Sequence, residues 1–406
     1  MRVAVIGGGA AGLACATMIR QMNSNIETVL FEAADRVGRK LLVTGNGQCN
    51  ITNKNYSLSN YHGSGKNLAY NSINEFTPEM QTDFFRKIGV EIVFENDGKG
   101  YPASYQAASV VDCLRFATLE VGVIIKTNSP VENIVRENGG FTLIGKNFNE
   151  HFDKLVVACG GVAGGKLGTD KGYSLLKNLG HKIISPLPAI VQLKTENTIT
   201  KQLKGIKISA KITAFVDNEP KRTEFGEILF CDYGLSGPPV LQLSSIFKGN
   251  GTETVSIDLC PETSINDLVN LLKTRKLNLA NRNATELLNG LLNKRLGQVL
   301  IKLANIKCEF CKDISDNLIL QLAEKIKAFD FKVLGNTGFA NAQVTMGGAD
   351  ASQVFDNFCS KKAKGLYIIG EVLDVNGDCG GYNLSFAWSS ANMAAKSIVD
   401  CEKNQQ

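Results

Sequence analysis

The chain has 406 residues, which at roughly 100–200 residues per domain means two or three structural units. Apolar residues make up 44%, charged residues 20% and aromatic residues 7%, a balance that excludes disordered, collagen-like and membrane-embedded classes. The net charge is only +5, so where the charge lies matters more than its sum.

No run approaches the roughly 18 apolar residues of a membrane span. The N-terminus enters a strand without a leader of secretory type, so a soluble cytoplasmic protein is expected. The eleven cysteines are odd in number and scattered, which favours reduced thiols. Cys308 and Cys311 have CxxC spacing without a second pair, and His62, His151 and His181 are far apart, so no metal site is expected.

The sharpest signal comes first. Arg2 to Ile6 reads as a strand, Gly7-Gly8-Gly9-Ala10-Ala11-Gly12 supplies GxGxxG, and Leu13 to Met22 continues as a helix. A second strand, Thr28 to Phe31, ends in Glu32, twenty residues after Gly12. Gly7 permits the tight turn, Gly9 admits a pyrophosphate, and Gly12 lets helix and strand approach. The N–H groups of Ala10 and Ala11 face the anion, and Glu32 accepts from a ribose hydroxyl. Next comes a basic, glycine-rich stretch with Ala33, Gly38, Arg39, Lys40, Asn46, Gly47 and Asn50. NAD dehydrogenases have no need of it, whereas FAD proteins run such a loop beside the pyrophosphate and ribityl chain. FAD is therefore the expected cofactor, with Arg39 and Lys40 neutralising phosphate charge.

Further along, Lys154 to Cys159 is a buried-type strand breaking at Gly160-Gly161, with Ala158 and Gly160 taken as cofactor contacts, as is Val131. No second clean GxGxxG follows, so one nucleotide site is expected and no separate nicotinamide domain. From about Val191 the pattern changes. Ile206 to Val216 alternates as a half-buried strand, and Glu227–Cys231 and Thr254–Leu259 add two more, with a turn at Ser236-Gly237-Pro238-Pro239. From Thr263 to Phe331 leucines recur at helical spacing, including Leu287, Leu288, Leu291, Leu292 and Leu296 on one face, and Ser315 is a candidate N-cap. Within this part, Lys273 to Lys312 holds nine basic residues and two acids. That is a solvated helical face or a footprint for an anionic partner such as ribosomal RNA.

Near the end, Gly365 to Ile369 is a short strand leading into Gly370-Glu371, then Asp374, Gly377 and Gly380-Gly381-Tyr382-Asn383-Leu384 open a small-residue helix to Ile398. A carboxylate after such a strand suits ribityl hydroxyls. A helix N-terminus at Gly381, Tyr382, Asn383 and Leu384 favours negative charge on a reduced flavin ring.

The segments GRKLLVTGNGQCNITN, FGEILFCDYGLSGPPVLQLS and GLYIIGEVLDVNGDCGGYNLSFAWSS resemble the HI0933/YhiN-type flavoproteins, also called BaiN-like or aminoacetone-oxidase-like. The resemblance runs over essentially the whole chain. It implies an α/β fold: a Rossmann-like two-dinucleotide-binding FAD domain split by an inserted β-barrel-like plus helical region. The boundaries implied are 1–190 and 334–406 for the FAD domain, 191–262 for the β-rich part and 263–333 for the helical part. Where the family usually reads Gly-Arg-Cys-Asn, this chain has Gly47-Gln48-Cys49-Asn50, which removes a cation near the expected flavin. The activities implied are reduction of conjugated C=C bonds in steroid-like enones, dihydrouridine formation in ribosomal RNA, and oxidation of small amino ketones.

An FAD oxidoreductase that takes hydride from a transiently docked NAD(P)H and reduces a polarised C=C bond is the leading expectation, with uridine in ribosomal RNA as substrate. A reductase of a small steroid-like enone, a flavin amine oxidase acting on a small amino ketone, and an RNA-binding flavoprotein with structural FAD are the alternatives. Cys49 and Tyr382, in the two loops expected to flank the flavin, are the candidate proton donors.

Overall fold

The computed structural model describes residues 1–137 and 139–403. It divides into two compact units, Met1–Ala189 with Phe339–Gln406, and Ile190–Gly338, each with its own apolar core.

The first unit is built on a five-stranded parallel sheet. Its strands lie in the order Leu366–Ile368, Lys154–Val157, Arg2–Ile6, Glu27–Phe31, Ile124–Lys126. Val3 to Val5, Leu155 to Val157 and Leu366 to Ile368 are buried on both faces, which is why they read as continuous apolar runs rather than alternating ones. The order reverses about Arg2–Ile6, and open α/β sheets bind ligands at the carboxyl end of such a switch point. The helix Ala10–Met22 leaves that strand end and packs on the long C-terminal helix Tyr382–Lys403. Small residues make the approach possible: Ala14, Ala16, Ala391, Ala394 and Ala395 are all buried. Residues 370–381 therefore come back to the N-terminal strand despite their distance in sequence. A three-stranded antiparallel sheet, Asn133 to Phe152, flanks the parallel one.

The second unit is a closed six-stranded barrel with a helical part. Lys207–Val216 and Glu219–Cys231 form its long hairpin, turning on Asp217 and Asn218, both at positive φ, as a two-residue hairpin turn requires. Ala210, Ile212 and Ala214 fill the interior. Three helices follow, Ile265–Asn278, Lys294–Leu303 and Asp316–Lys327, each capped by a side chain accepting from its first turn: Ser264, Asn293 and Ser315.

The helical reading of residues 263–331 needs two corrections. Leu287 and Leu288 are buried, but they lie in turns, because Gly290 at φ +81° and the Asn293 cap delay the helix to Lys294. Phe329–Asn336 is a strand that pairs with Glu253–Asp258 and Leu193–Thr195, closing the barrel. Phe329, Phe331 and Val333 alternate with exposed Asp330 and Lys332, a period of two that adjoining leucines at helical spacing mask. Likewise Pro238 opens the short helix Pro238–Leu243 after Gly237 instead of only completing a turn.

Candidate cofactor-binding site

The glycine fingerprint sits where the parallel sheet ends. Gly7 has φ +106°, and a Cβ there would collide with the Ala158 carbonyl. A Cβ on Gly12 would overlap the Gly7 carbonyl oxygen. These two glycines let strand, helix and the Ala158 loop meet. Gly9 differs: an added Cβ would meet nothing within 4 Å, and the same holds at Gly160. The helix Ala10–Met22 starts at Gly9 with no side-chain cap and no acid in its first turn. Its exposed N–H dipoles thus face open space, the arrangement that receives an anion.

Glu32 is held by two backbone donors, Gly8 N–H to Oε2 and Ala34 N–H to Oε1, both 2.8 Å. Each carboxylate oxygen keeps a further lone pair for a ribose hydroxyl. Gly38 N–H donates to Gly8 O (2.8 Å), which draws the basic loop to the fingerprint. Arg39 is half-buried with no ion-pair partner among the described residues. Lys40 instead donates to Glu371 Oε2 at 2.6 Å, and Glu371 Oε1 accepts from Thr345 N–H at 2.8 Å. Gly370, at φ +69°, lies so close to the first helix that an added Cβ would be 2.9 Å from the Ala11 Cβ. The late carboxylate and the early fingerprint thus form one site.

Other expected contacts also bond within the fold. Both oxygens of buried Asp374 accept backbone N–H groups, from Ser64 (2.7 Å) and Gly347 (3.0 Å). Asn383 bonds both main-chain groups of Gly377. Asn50, with its amide nitrogen turned to the Gly100 and Thr52 carbonyls, accepts from Gly381 N–H at 3.2 Å. Val131 is buried in the core, Ala33 and Asn46 are exposed, and Gly47 and Leu384 are half-buried. Thr44 is extended and Gly45, Asn46 and Gly47 have positive φ, which breaks the segment Leu41–Gly47 at a kink.

The two candidate proton donors are both held within the fold. Cys49 is fully buried, and burial pushes its thiol up to about 12, so it stays protonated near neutral pH. Tyr382 donates its hydroxyl to Asn55 O at 2.8 Å and stacks edge-on to Tyr61. Both close loops.

A pair that the sequence did not reveal stands nearby. The strand Asn376–Gly377 pairs antiparallel with Tyr61–His62, Asn376 opposite His62. That register brings His62 Nε2 to 2.8 Å from Asp378 Oδ1. Asp378 is buried and tied further to Asn60, through its own N–H to Asn60 O (2.9 Å) and from Asn60 Nδ2 to Oδ2 (3.3 Å). With the carboxylate ionised and accepting, Nε2 would carry the proton and leave Nδ1 for other chemistry. His62 also lines a cavity of about 630 Å³ with Leu58, Ser59, Tyr61, Gly63 and Lys66. Separation in sequence hid the pair: 316 residues divide its members.

These features fit an FAD: an uncapped helix N-terminus over open space, a ribose-side carboxylate, an arginine with no ion pair among the described residues, and, of the four buried polar atoms of this unit without partners among the described residues, Tyr173 Oη and Asn376 Oδ1. The fold and site together define a Rossmann-type dinucleotide-binding flavoprotein. Residues 1–397 match the model of the HI0933-like protein Rossmann domain, and the chain belongs to that family of FAD-dependent oxidoreductases. It is 32% identical to a 3-dehydro-bile acid delta(4,6)-reductase of Clostridium scindens, over 98% of this chain and 99% of that protein. It is 30% identical to a ribosomal RNA dihydrouridine synthase of Haemophilus influenzae, over 97% of each. A solved structure of 3-ketosteroid delta1-dehydrogenase from Sterolibacterium denitrificans shares the fold, with a TM-score of 0.52 at 13% identity, over 98% of this chain and 99% of that one.

Proposed function

We propose that this chain is an FAD-dependent reductase of a polarised C=C bond, driven by NAD(P)H, with uridine in ribosomal RNA as its substrate and dihydrouridine as its product. The observation that carries the reaction class is full-length similarity to two proteins named for such reductions, joined to a site that fits FAD. FAD, when bound, supplies the hydride that it has received from the donor.

The chain's own residues do the rest. The Gly7–Gly12 turn and the first turn of Ala10–Met22 hold the pyrophosphate, with Arg39 balancing its charge. Glu32 holds the adenosine ribose, and Glu371, buttressed by Lys40, faces the ribityl hydroxyls. The first turn of Tyr382–Lys403 carries no acid, so its N–H dipoles favour the anionic, reduced ring. His62, oriented by Asp378, is the side chain that delivers a proton beside the carbonyl while hydride arrives at the adjacent carbon.

RNA is favoured as substrate by the second unit. Lys273 and Lys276 pair with Asp316, and Arg275 bonds the Leu287 and Asn289 carbonyls. Arg282, Lys294, Lys302 and Lys307 remain exposed with no ion pair among the described residues. Such cations read phosphates, not bases. The test is mass spectrometry of ribosomal RNA lacking dihydrouridine after incubation with FAD-loaded protein and NAD(P)H. A uridine gaining one H2 is expected. No gain, with a steroid-like enone reduced instead, moves the substrate to the second reading, which the similarity to the bile acid reductase favours.

A further inference from the structure

Tyr173 lies on the helix Lys171–Asn178, directly after Gly172. A Cβ on Gly172 would be 2.8 Å from Cys159 Cβ and 3.1 Å from Val372 Cγ2, so the first turn of this helix is pressed between the loop after Lys154–Val157 and the turn carrying Glu371. The tyrosine is only 6% exposed, and its hydroxyl has no hydrogen-bond partner among the described residues. Its charged neighbours are Glu371, Asp374 and Asp170.

A buried hydroxyl with no partner is a rarity that needs a reason. The neighbouring carboxylates do not supply one. Glu371 and Asp374 are near enough to act on it as charges, but neither lies within hydrogen-bond distance of the hydroxyl. Removing such a hydroxyl from a protein without ligand costs nothing, whereas removing one that bonds a ligand costs affinity.

We propose that Tyr173 is a cofactor-binding residue whose hydroxyl bonds an oxygen of the ribityl–pyrophosphate chain of the flavin dinucleotide. The proposal rests on FAD being the cofactor. It adds to the site a group from the middle of the chain, outside both the N-terminal fingerprint and the C-terminal loop. The hydroxyl serves either kind of oxygen there, donating to phosphate or exchanging with a ribityl hydroxyl.

The experiment strips the full-length protein of flavin, then follows FAD titration by fluorescence quenching and melting temperature with and without FAD, for wild type and Tyr173→Phe. The expected result is a change that differs between the two forms. Tyr173→Phe leaves the FAD-free melting temperature unchanged or higher, and weakens FAD binding about tenfold, with a smaller FAD-induced rise in melting temperature. Tyr367→Phe is the control, because its hydroxyl lies 3.1 Å from Ser397 Oγ: that variant lowers both melting temperatures and leaves FAD affinity alone. If Tyr173→Phe behaves like the control, the hydroxyl serves the fold through buried water and the proposal fails. A wild-type protein that binds no FAD overturns the cofactor reading itself, and the assignment of Tyr173 with it.

Discussion

Lys40 and Glu371, 331 residues apart, meet at 2.6 Å and join the basic loop after the second strand to the carboxylate at the end of the chain. Their side chains are 25% and 22% exposed, so the pair is worth about 1 kcal/mol. In a double-mutant cycle of Lys40→Met and Glu371→Gln, urea melts of FAD-free protein should show a coupling of about that size. Glu371→Gln alone should weaken FAD binding by more than it lowers stability.

Gly9 and Gly12 belong to one motif and have opposite consequences. Gly12→Ala drives a methyl into the Gly7 carbonyl and should destabilise the FAD-free protein by roughly 3 kcal/mol or more. Gly9→Ala meets no protein atom, so it should leave that stability within about 0.5 kcal/mol while cutting FAD affinity at least about tenfold. Equal effects in thermal melts would mean that the space over Gly9 is not the anion site.

How much of this was legible in the sequence depends on distance along the chain. The fingerprint and Glu32 are local, so spacing alone exposes them. The partners of Asp374, Tyr382 and Asn50 are not, and these residues, read as cofactor contacts, also bond backbone groups from other segments. His62–Asp378 escaped for the same reason, since only the pairing of Tyr61–His62 with Asn376–Gly377 creates it. The strand Phe329–Asn336 escaped because a period of two over a few residues is easily overrun by a preceding helical stripe.

His62 and Asp378 predict a separation of half-reactions. His62→Gln should leave FAD binding and flavin reduction by NAD(P)H within about twofold, and slow transfer to the acceptor by about 100-fold. Asp378→Asn should act in the same direction, because it disturbs the imidazole's tautomer. Stopped-flow traces in which both variants reoxidise at the wild-type rate would remove the pair from the chemistry.

Two poorly solvated thiols predict a pH dependence of stability. Burial raises Cys49 and Cys159 to about 12 from an ordinary 9.0. Between those values the folded chain binds more protons than the unfolded one, so stability is fully present below about pH 9 and falls as pH rises towards 12. Cys49→Ala removes one of these two groups and should reduce their joint contribution to that fall by roughly half, measured as melting temperature against pH. The same variant should keep its reductase activity near neutral pH.

The exposed cations predict a salt effect. Changing Arg282, Lys294, Lys302 and Lys307 to serine should reduce the slope of log affinity for ribosomal RNA against log salt by about 3. Bleaching of the flavin by NAD(P)H should not change.

The central claim is tested most directly by anaerobic spectroscopy of FAD-loaded protein, with NADH or NADPH added first and ribosomal RNA or a conjugated enone second. The account predicts that the flavin band near about 450 nm is bleached by the donor and restored by the acceptor in the absence of oxygen. A bound flavin that no nicotinamide donor reduces, or one that only oxygen reoxidises, would contradict it.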